Sequence, residues 1–418
     1  MKHSPLRGVL ALVSGTAGAQ LLTVLAAPIL TRLYSPSSFG VFTYLFSVSA
    51  IIVSVASLRL ELAIPLSGDI EAARRLTRMA MASAVVWASL TACVVLVAHG
   101  ELSKAANFDI MPWALWLPFL ILLTSWFVVL SQAALRERAY SAVATRTLVQ
   151  NIGTVGGQLL FAIVTRSPGG LLSGQLVGRM FGIVALARTN SELLARPLTG
   201  TYRRTFRDYR RFPLGFAPSA ILRTVGTQLP IILLTAWFGI QAAGLLGVAQ
   251  RIAMIPAAVI GVAVGQVFYG ELTSRLRAGE RNNRRLYLKA SRHLVLMGVC
   301  ITVALLTLPP LVFPPVLGAE WSPAASYAQA MAPSIGLGFM VGPIDFVFEA
   351  YQKAVGSVFV DISRVALVFG LGYLAYRSGW TALETTWAMY AGQLANYALT
   401  WAIGLVIVSE RQSMPAAA

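Results

Sequence analysis

Residues 244–269 read GLLGVAQRIAMIPAAVIGVAVGQVFY, an apolar run interrupted by Gln250, Arg251 and Gln266. About 20 apolar residues cross the hydrocarbon of a bilayer as a helix, so this stretch is read as a membrane span. A charge at the bilayer centre costs roughly 2.5–3.5 kcal/mol on insertion scales. Arg251 therefore needs a reason, and the rest of the chain supplies the context for it.

Hydrophobic residues make up 57% of the 418 positions and charged residues only 12%, against about 25% charged in soluble domains. Mean hydropathy is +0.71. Twelve apolar segments of spanning length follow one another: 9–30, 39–58, 79–99, 112–131, 143–164, 169–188, 213–238, 244–268, 293–313, 325–348, 355–376 and 384–408. Backbone groups in lipid must bond within their own segment, so the spans are helices. The first is read as a span rather than a signal peptide, because its apolar run exceeds the usual 7–15 residues. The fold class is an all-α polytopic membrane protein.

The net charge of +17 is a matter of topology. Of the 33 lysines and arginines, 25 fall in one set of alternate connections and 4 in the other. The positive-inside rule then places both termini in the cytoplasm. No soluble segment is long enough for a nucleic-acid-binding domain, so nucleic acid is excluded as a partner. Two basic stretches, TYRRTFRDYRRF and ELTSRLRAGERNNRRLYLKASRHL, are expected along the inner leaflet beside anionic lipid, or as simple topology anchors.

The long basic connection at mid-chain separates six spans from six. This implies two six-helix lobes about a central cavity, 1–188 and 213–418, joined by a cytoplasmic linker at 189–212. Small-xxx-small spacings at Gly174/Gly178/Gly182, Gly261/Gly265 and Gly338/Gly342 are read as helix-packing faces. Cys93 and Cys300 are read as small buried residues, with no disulfide or metal site. There is no Walker loop, and His3, His99 and His293 form no cluster. No enzyme activity, cofactor or metal is expected.

The four remaining basic residues lie within spans: Arg179, Arg223, Arg251 and Arg364. Arg179 and Arg223 sit roughly 15 Å from a helix end at 1.5 Å per residue. Arg364 has Asp361 three residues earlier on the same helix face, a neutralising partner. Arg179, Arg223 and Arg251 have no such local carboxylate. They imply a hydrated cationic cavity for an anion, since the planar guanidinium holds phosphate oxygens bidentately and stays charged; the alternative is that they bond backbone carbonyls or snorkel. Gln228 and Gln250, with Gln20, Asn151, Gln158, Gln175, Gln266 and Gln393, either line a sugar path or hold helices together. Arg59 and Glu61 are a candidate gate pair at the inner mouth, or a surface ion pair. Asp361, Asp345 and Arg364 are candidates for coupling to a proton or sodium ion.

The segment FPLGFAPSAILRTVGTQLPIILLTAWFGIQAAGLLGVAQRIAMIPAAVIGVAVGQVFYGEL, with LTRLYSPSSFGVFTYL, SLRLELAIPL and LGAEWSPAASYAQAMAP, resembles the Wzx-type oligosaccharide flippases of the multidrug/oligosaccharidyl-lipid/polysaccharide exporter superfamily. The resemblance covers nearly the whole chain. It implies movement of an undecaprenyl-diphosphate-linked oligosaccharide across the bacterial inner membrane by alternating access, alongside polysaccharide polymerase and chain-length proteins. Arg251 matches the family's arginine in that span; Arg223 stands where a neutral polar residue is more usual. Two rival functions are a small-molecule exporter of the related multidrug type and a membrane scaffold for glycosyltransferases. An exporter of organic cations would want unpaired carboxylates in its spans.

Overall fold

The computed structural model describes residues 18, 21–137, 140–189, 201–254, 261–278, 280, 283–351 and 353–409. Among these residues there is no strand. The helices are α1 (Leu21–Leu33), α2 (Pro36–Ala56), α3 (Ile70–Ala106), α4 (Leu117–Arg136), α5 (Tyr140–Val164), α6 (Pro168–Thr189), α7 (Tyr202–Tyr209), α8 (Ala217–Phe238), α9 (Ile240–Ala253), α10 (Val262–Arg277), α11 (Arg284–Leu317), α12 (Ser322–Ile344), α13 (Ala354–Arg377) and α14 (Ala382–Ser409).

Ten helices among the described residues are long and apolar enough to cross a membrane. They coincide with ten of the twelve expected spans. The other two, 9–30 and 244–268, each include residues outside the described set; α1, α9 and α10 are their described parts. The lipid-facing character is visible in the side chains. Val97, Ile163 and Val355 are 80%, 83% and 85% exposed. In water each would forgo about 1.5–3 kcal/mol of burial; in a hydrocarbon solvent there is no such loss. Cys93 and Cys300, expected as buried fillers, are also free and exposed, on the long helices α3 and α11.

Local signals place the helix ends. Ser35 caps α2 by accepting the Ser38 N–H at 3.3 Å, with Pro36 as first helical residue. Asp69 caps α3, and Asn107 closes it in the left-handed conformation at φ 57°. Thr381 and Glu384 form a reciprocal capping box at the start of α14.

The chain divides into two compact units, Met1–Gly247 and Val248–Ala418. This division by packing falls later than the linker 189–212 marked by composition. The reason is that α8 and the start of α9 pack on α2. In the first unit α5 and α6 also cross closely. A Cβ on Gly174 would lie within 3 Å of the Gln158 backbone, and one on Gly178 within 3 Å of Thr154 and the Gln150 carbonyl. The glycine face of α6 is thus a packing face, as its spacing implied. The short basic helix α7 rests on α3, where the Arg75 Nε donates to the Thr205 hydroxyl at 2.8 Å.

In the second unit α11 and α12 cross at Gly298 and Gly336, and Thr302 donates to the Gly298 carbonyl at 2.9 Å. Tyr287 donates to the Trp401 carbonyl at 3.0 Å, and the Trp401 indole donates to Ser291 at 3.1 Å, tying α11 to α14. Gly265 and Gly338 pack against Phe346 and Tyr397, whereas Gly261 and Gly342 have open space beside them. These last two face a cavity of about 300 Å³, lined also by Gln266, Gly338, Pro343 and Phe346. Half of those small residues therefore make room rather than contact.

Candidate functional site

The polar residues of α5 recur at Arg146, Gln150, Thr154 and Gln158, four apart and so on one helical face. All four are buried, at 9%, 9%, 5% and 0% exposure. Opposite them lies the glycine face of α6, and Arg179 stands beside Gly178 on that helix. The two guanidinium carbons lie 4.7 Å (Arg146) and 4.9 Å (Arg179) from the centre of the same ring, Phe127 of α4. Gly182 leaves room for that ring, since a Cβ there would come within 3 Å of it. Arg146 Nη1 donates to the Ser131 hydroxyl, which donates in turn to the Phe127 carbonyl. Arg179 makes no ion pair among the described residues, and its buried Nε has no hydrogen-bond partner. Helices α2, α4, α5 and α6 contain no Asp or Glu. Each ring contact offsets about 0.5–2 kcal/mol, which leaves two like charges held close together in an apolar bundle.

Arg146 falls near the start of the expected span 143–164 but counts with the 25 basic residues of the cytoplasmic connections, and Phe127 carries no signal of its own in the sequence. The four-residue recurrence of Arg146, Gln150, Thr154 and Gln158 is the signal that marks the face; loop counting overrode it.

Arg251 occupies the last turn of α9, partly buried, and its side chain makes no hydrogen bond or ion pair among the described residues. Gln250 is likewise partly buried. Arg223 is exposed on α8, and Gln228 is partly buried on the same helix. Arg179 and Arg223 stand on different helices of the first unit, while Arg251 falls in the second.

Arg59 and Glu61 do pair, Nη1 to Oε1 at 3.4 Å. Glu61 is only 2% exposed and also accepts the Ser57 hydroxyl at 2.5 Å, so this is not a simple surface bridge. Leu58 and Arg59 take positive φ values of 54° and 57° to turn the chain there. In the second unit Arg364 pairs with Asp361 at 3.6 Å, and its Nε donates to Asn396 Oδ1 at 3.1 Å. The Asn396 amide donates to the Val360 carbonyl and to Ser363 at 2.9 and 2.8 Å. Asp345 is partly buried at the end of α12.

The amide side chains in the spans are candidates for holding helices together. Of these, Gln158 does so, its Nε2 donating from α5 to the Leu171 carbonyl of α6 at 3.3 Å, whereas the Gln393 amide donates to the Tyr397 hydroxyl at 3.1 Å within α14 itself. Asn151 accepts from Thr23 at 3.2 Å. Gln266 faces the second-unit cavity, and Gln20 lies outside the described residues. No group of three or more His, Cys, Asp or Glu suited to a metal occurs among the described residues.

Residues 29–326 match the model of the polysaccharide biosynthesis protein family. The chain belongs to that family. A relative of the chain is the succinoglycan biosynthesis transport protein ExoT of Rhizobium meliloti (strain 1021), 25% identical over 358 residues, covering 82% of this chain and 67% of that protein. Among solved structures, an inward-facing multidrug resistance MATE family transporter of the MOP superfamily superposes with a TM-score of 0.71 at 16% identity, over 93% of this chain and 94% of that one. A MOP superfamily transporter from Pyrococcus furiosus, described as having a binding pocket of reverse polarity, gives 0.64 at 14% identity, over 97% and 96%. This member of the polysaccharide biosynthesis family is thus a multi-pass membrane protein with the fold of MOP superfamily transporters.

Proposed function

We propose that the protein is a flippase that carries an undecaprenyl-diphosphate-linked oligosaccharide across the bacterial inner membrane by alternating access, with both termini in the cytoplasm, and that it is a carrier rather than an enzyme. One observation supports this most. The mid-span carboxylate Asp361 is held by Arg364, while Arg179 and Arg251 have no ion pair among the described residues. Such a membrane interior has spare positive charge, which suits a diphosphate and disfavours organic cations. The transport role in succinoglycan biosynthesis printed for the Rhizobium relative agrees with a saccharide cargo. Arg251, Arg223 and Arg179 take the phosphates or acidic sugars, Gln250 and Gln228 the neutral hydroxyls, and Arg59 with Glu61 guards the inner mouth. Proton or sodium coupling through Asp361 or Asp345 belongs to the same proposal, as does work beside polymerase and chain-length proteins. Anionic lipids would meet the basic helix α7 and an open groove of about 780 Å³ along α11 at Leu288, Lys289, Arg292, His293 and Leu296.

The test is surface polysaccharide export in cells that depend on this protein. Arg251→Ala and Arg223→Ala together are expected to abolish export with the protein still present in the membrane. Normal export would refute the reading. A scaffold for glycosyltransferases would instead lose function on replacing the arginines of 203–211 and tolerate loss of Arg251 and Arg223.

A further inference from the structure

We propose that Arg146 and Arg179, held over Phe127, form a phosphate-binding site inside the first unit, separate from Arg251. The inference rests on the flippase reading for its cargo, but its geometry stands within one unit. Two guanidiniums lie within 5 Å of the centre of one ring. The helices that carry them and the ring contain no carboxylate. Charges taken out of water are paired or bound to an ion, so the counter-charge to Arg179 comes from outside these helices.

The donors present define its chemistry. Arg179 keeps a buried Nε without a partner and is partly exposed, so the site is open at its edge. Arg146 is steered by Ser131, and Gln150 and Thr154 follow it on the same face. Two planar forks beside neutral amide and hydroxyl groups suit an oxyanion with several equivalent oxygens, a mono- or diphosphate, better than a single carboxylate. Phe127 keeps the two guanidiniums in place when the anion is absent. A diphosphate seated here would be held by α5 and α6 of the first unit while its lipid tail stays outside, and Arg251 would serve a different point of the cargo's path.

The experiment uses the full chain in phosphatidylcholine nanodiscs, with farnesyl diphosphate as probe, inorganic pyrophosphate as competitor and farnesol as the uncharged control. Farnesyl diphosphate is expected to bind, pyrophosphate to displace it, and farnesol not to bind. Arg146→Gln and Arg179→Gln are each expected to weaken binding at least tenfold. Arg146→Lys and Arg179→Lys, which keep the charge, should retain most of the pyrophosphate affinity; a purely structural role predicts no such rescue and also covers the case in which a glutamine variant fails to fold. Farnesyl diphosphate binding that persists in both glutamine variants but is lost in Arg251→Gln overturns this site and leaves the flippase reading intact. Pyrophosphate binding without farnesyl diphosphate binding supports the site but assigns it free phosphate, and the flippase reading falls. Failure of both farnesyl diphosphate and pyrophosphate to bind overturns the site.

Discussion

Gly244 of α9 lies directly against Gly40 of α2: a Cβ added at Gly244 would sit 2.9 Å from the Gly40 amide nitrogen and nearer still to the Pro36 carbonyl oxygen. Gly40 is equally tight against the Ile240 carbonyl, and Gly247 against Thr43. Three missing side chains let these helices touch backbone to backbone. Gly244→Leu must therefore push α9 away from α2. The expected cost is about 1–3 kcal/mol, as for overpacked cores, seen as a lower Tm of the purified protein. An unchanged Tm would mean that the two helices do not meet this way.

The turn at Leu58–Arg59 separates backbone from side-chain effects. Arg59→Gly relieves a left-handed φ of 57°, worth about 1 kcal/mol, while it gives up a long charge-assisted contact to the buried Glu61 carboxylate, worth about 1.5 kcal/mol. Tm is expected to stay level. Glu61→Leu leaves the buried Ser57 hydroxyl without its acceptor and should cost about 1–3 kcal/mol. If the pair is a gate, Arg59→Gly lowers export at normal Tm; unaltered export removes the gate role.

Arg364→Leu leaves Asp361 buried without its cation and strips Asn396 of its donor from Arg364. Breaking a buried pair from one side costs about 3–5 kcal/mol. The double change Asp361→Leu with Arg364→Leu is expected to recover much of that loss. Thermal unfolding of the two variants checks it, and a double variant no more stable than Arg364→Leu would contradict the pairing.

At the start of α14, Thr381→Ala removes both the Glu384 N–H acceptor and a hydroxyl donor to the Glu384 carboxylate. Loss of such a cap costs about 1 kcal/mol. Because the site is exposed and takes no part in the proposed binding path, export should be unaffected.

Membrane spans, the cationic bias and the local pair Asp361–Arg364 were legible from residue order alone, because each depends on composition within about 20 residues or on one helical turn. The same holds for Gly174, Gly178 and Gly182, whose spacing needs only the helix period. The partners of Arg179 were not legible. Phe127 and Arg146 come from other helices, and Arg146, at the basic start of the expected span 143–164, counts with the cytoplasmic connections. The division at Gly247, where packing carries α8 and the start of α9 onto α2, was equally hidden, since glycine records that room exists and not which helix fills it. Local order therefore decided what crosses the membrane and with what charge. Only the tertiary packing decided which charges meet, because like-charged side chains on separate helices become neighbours only when small residues let those helices close.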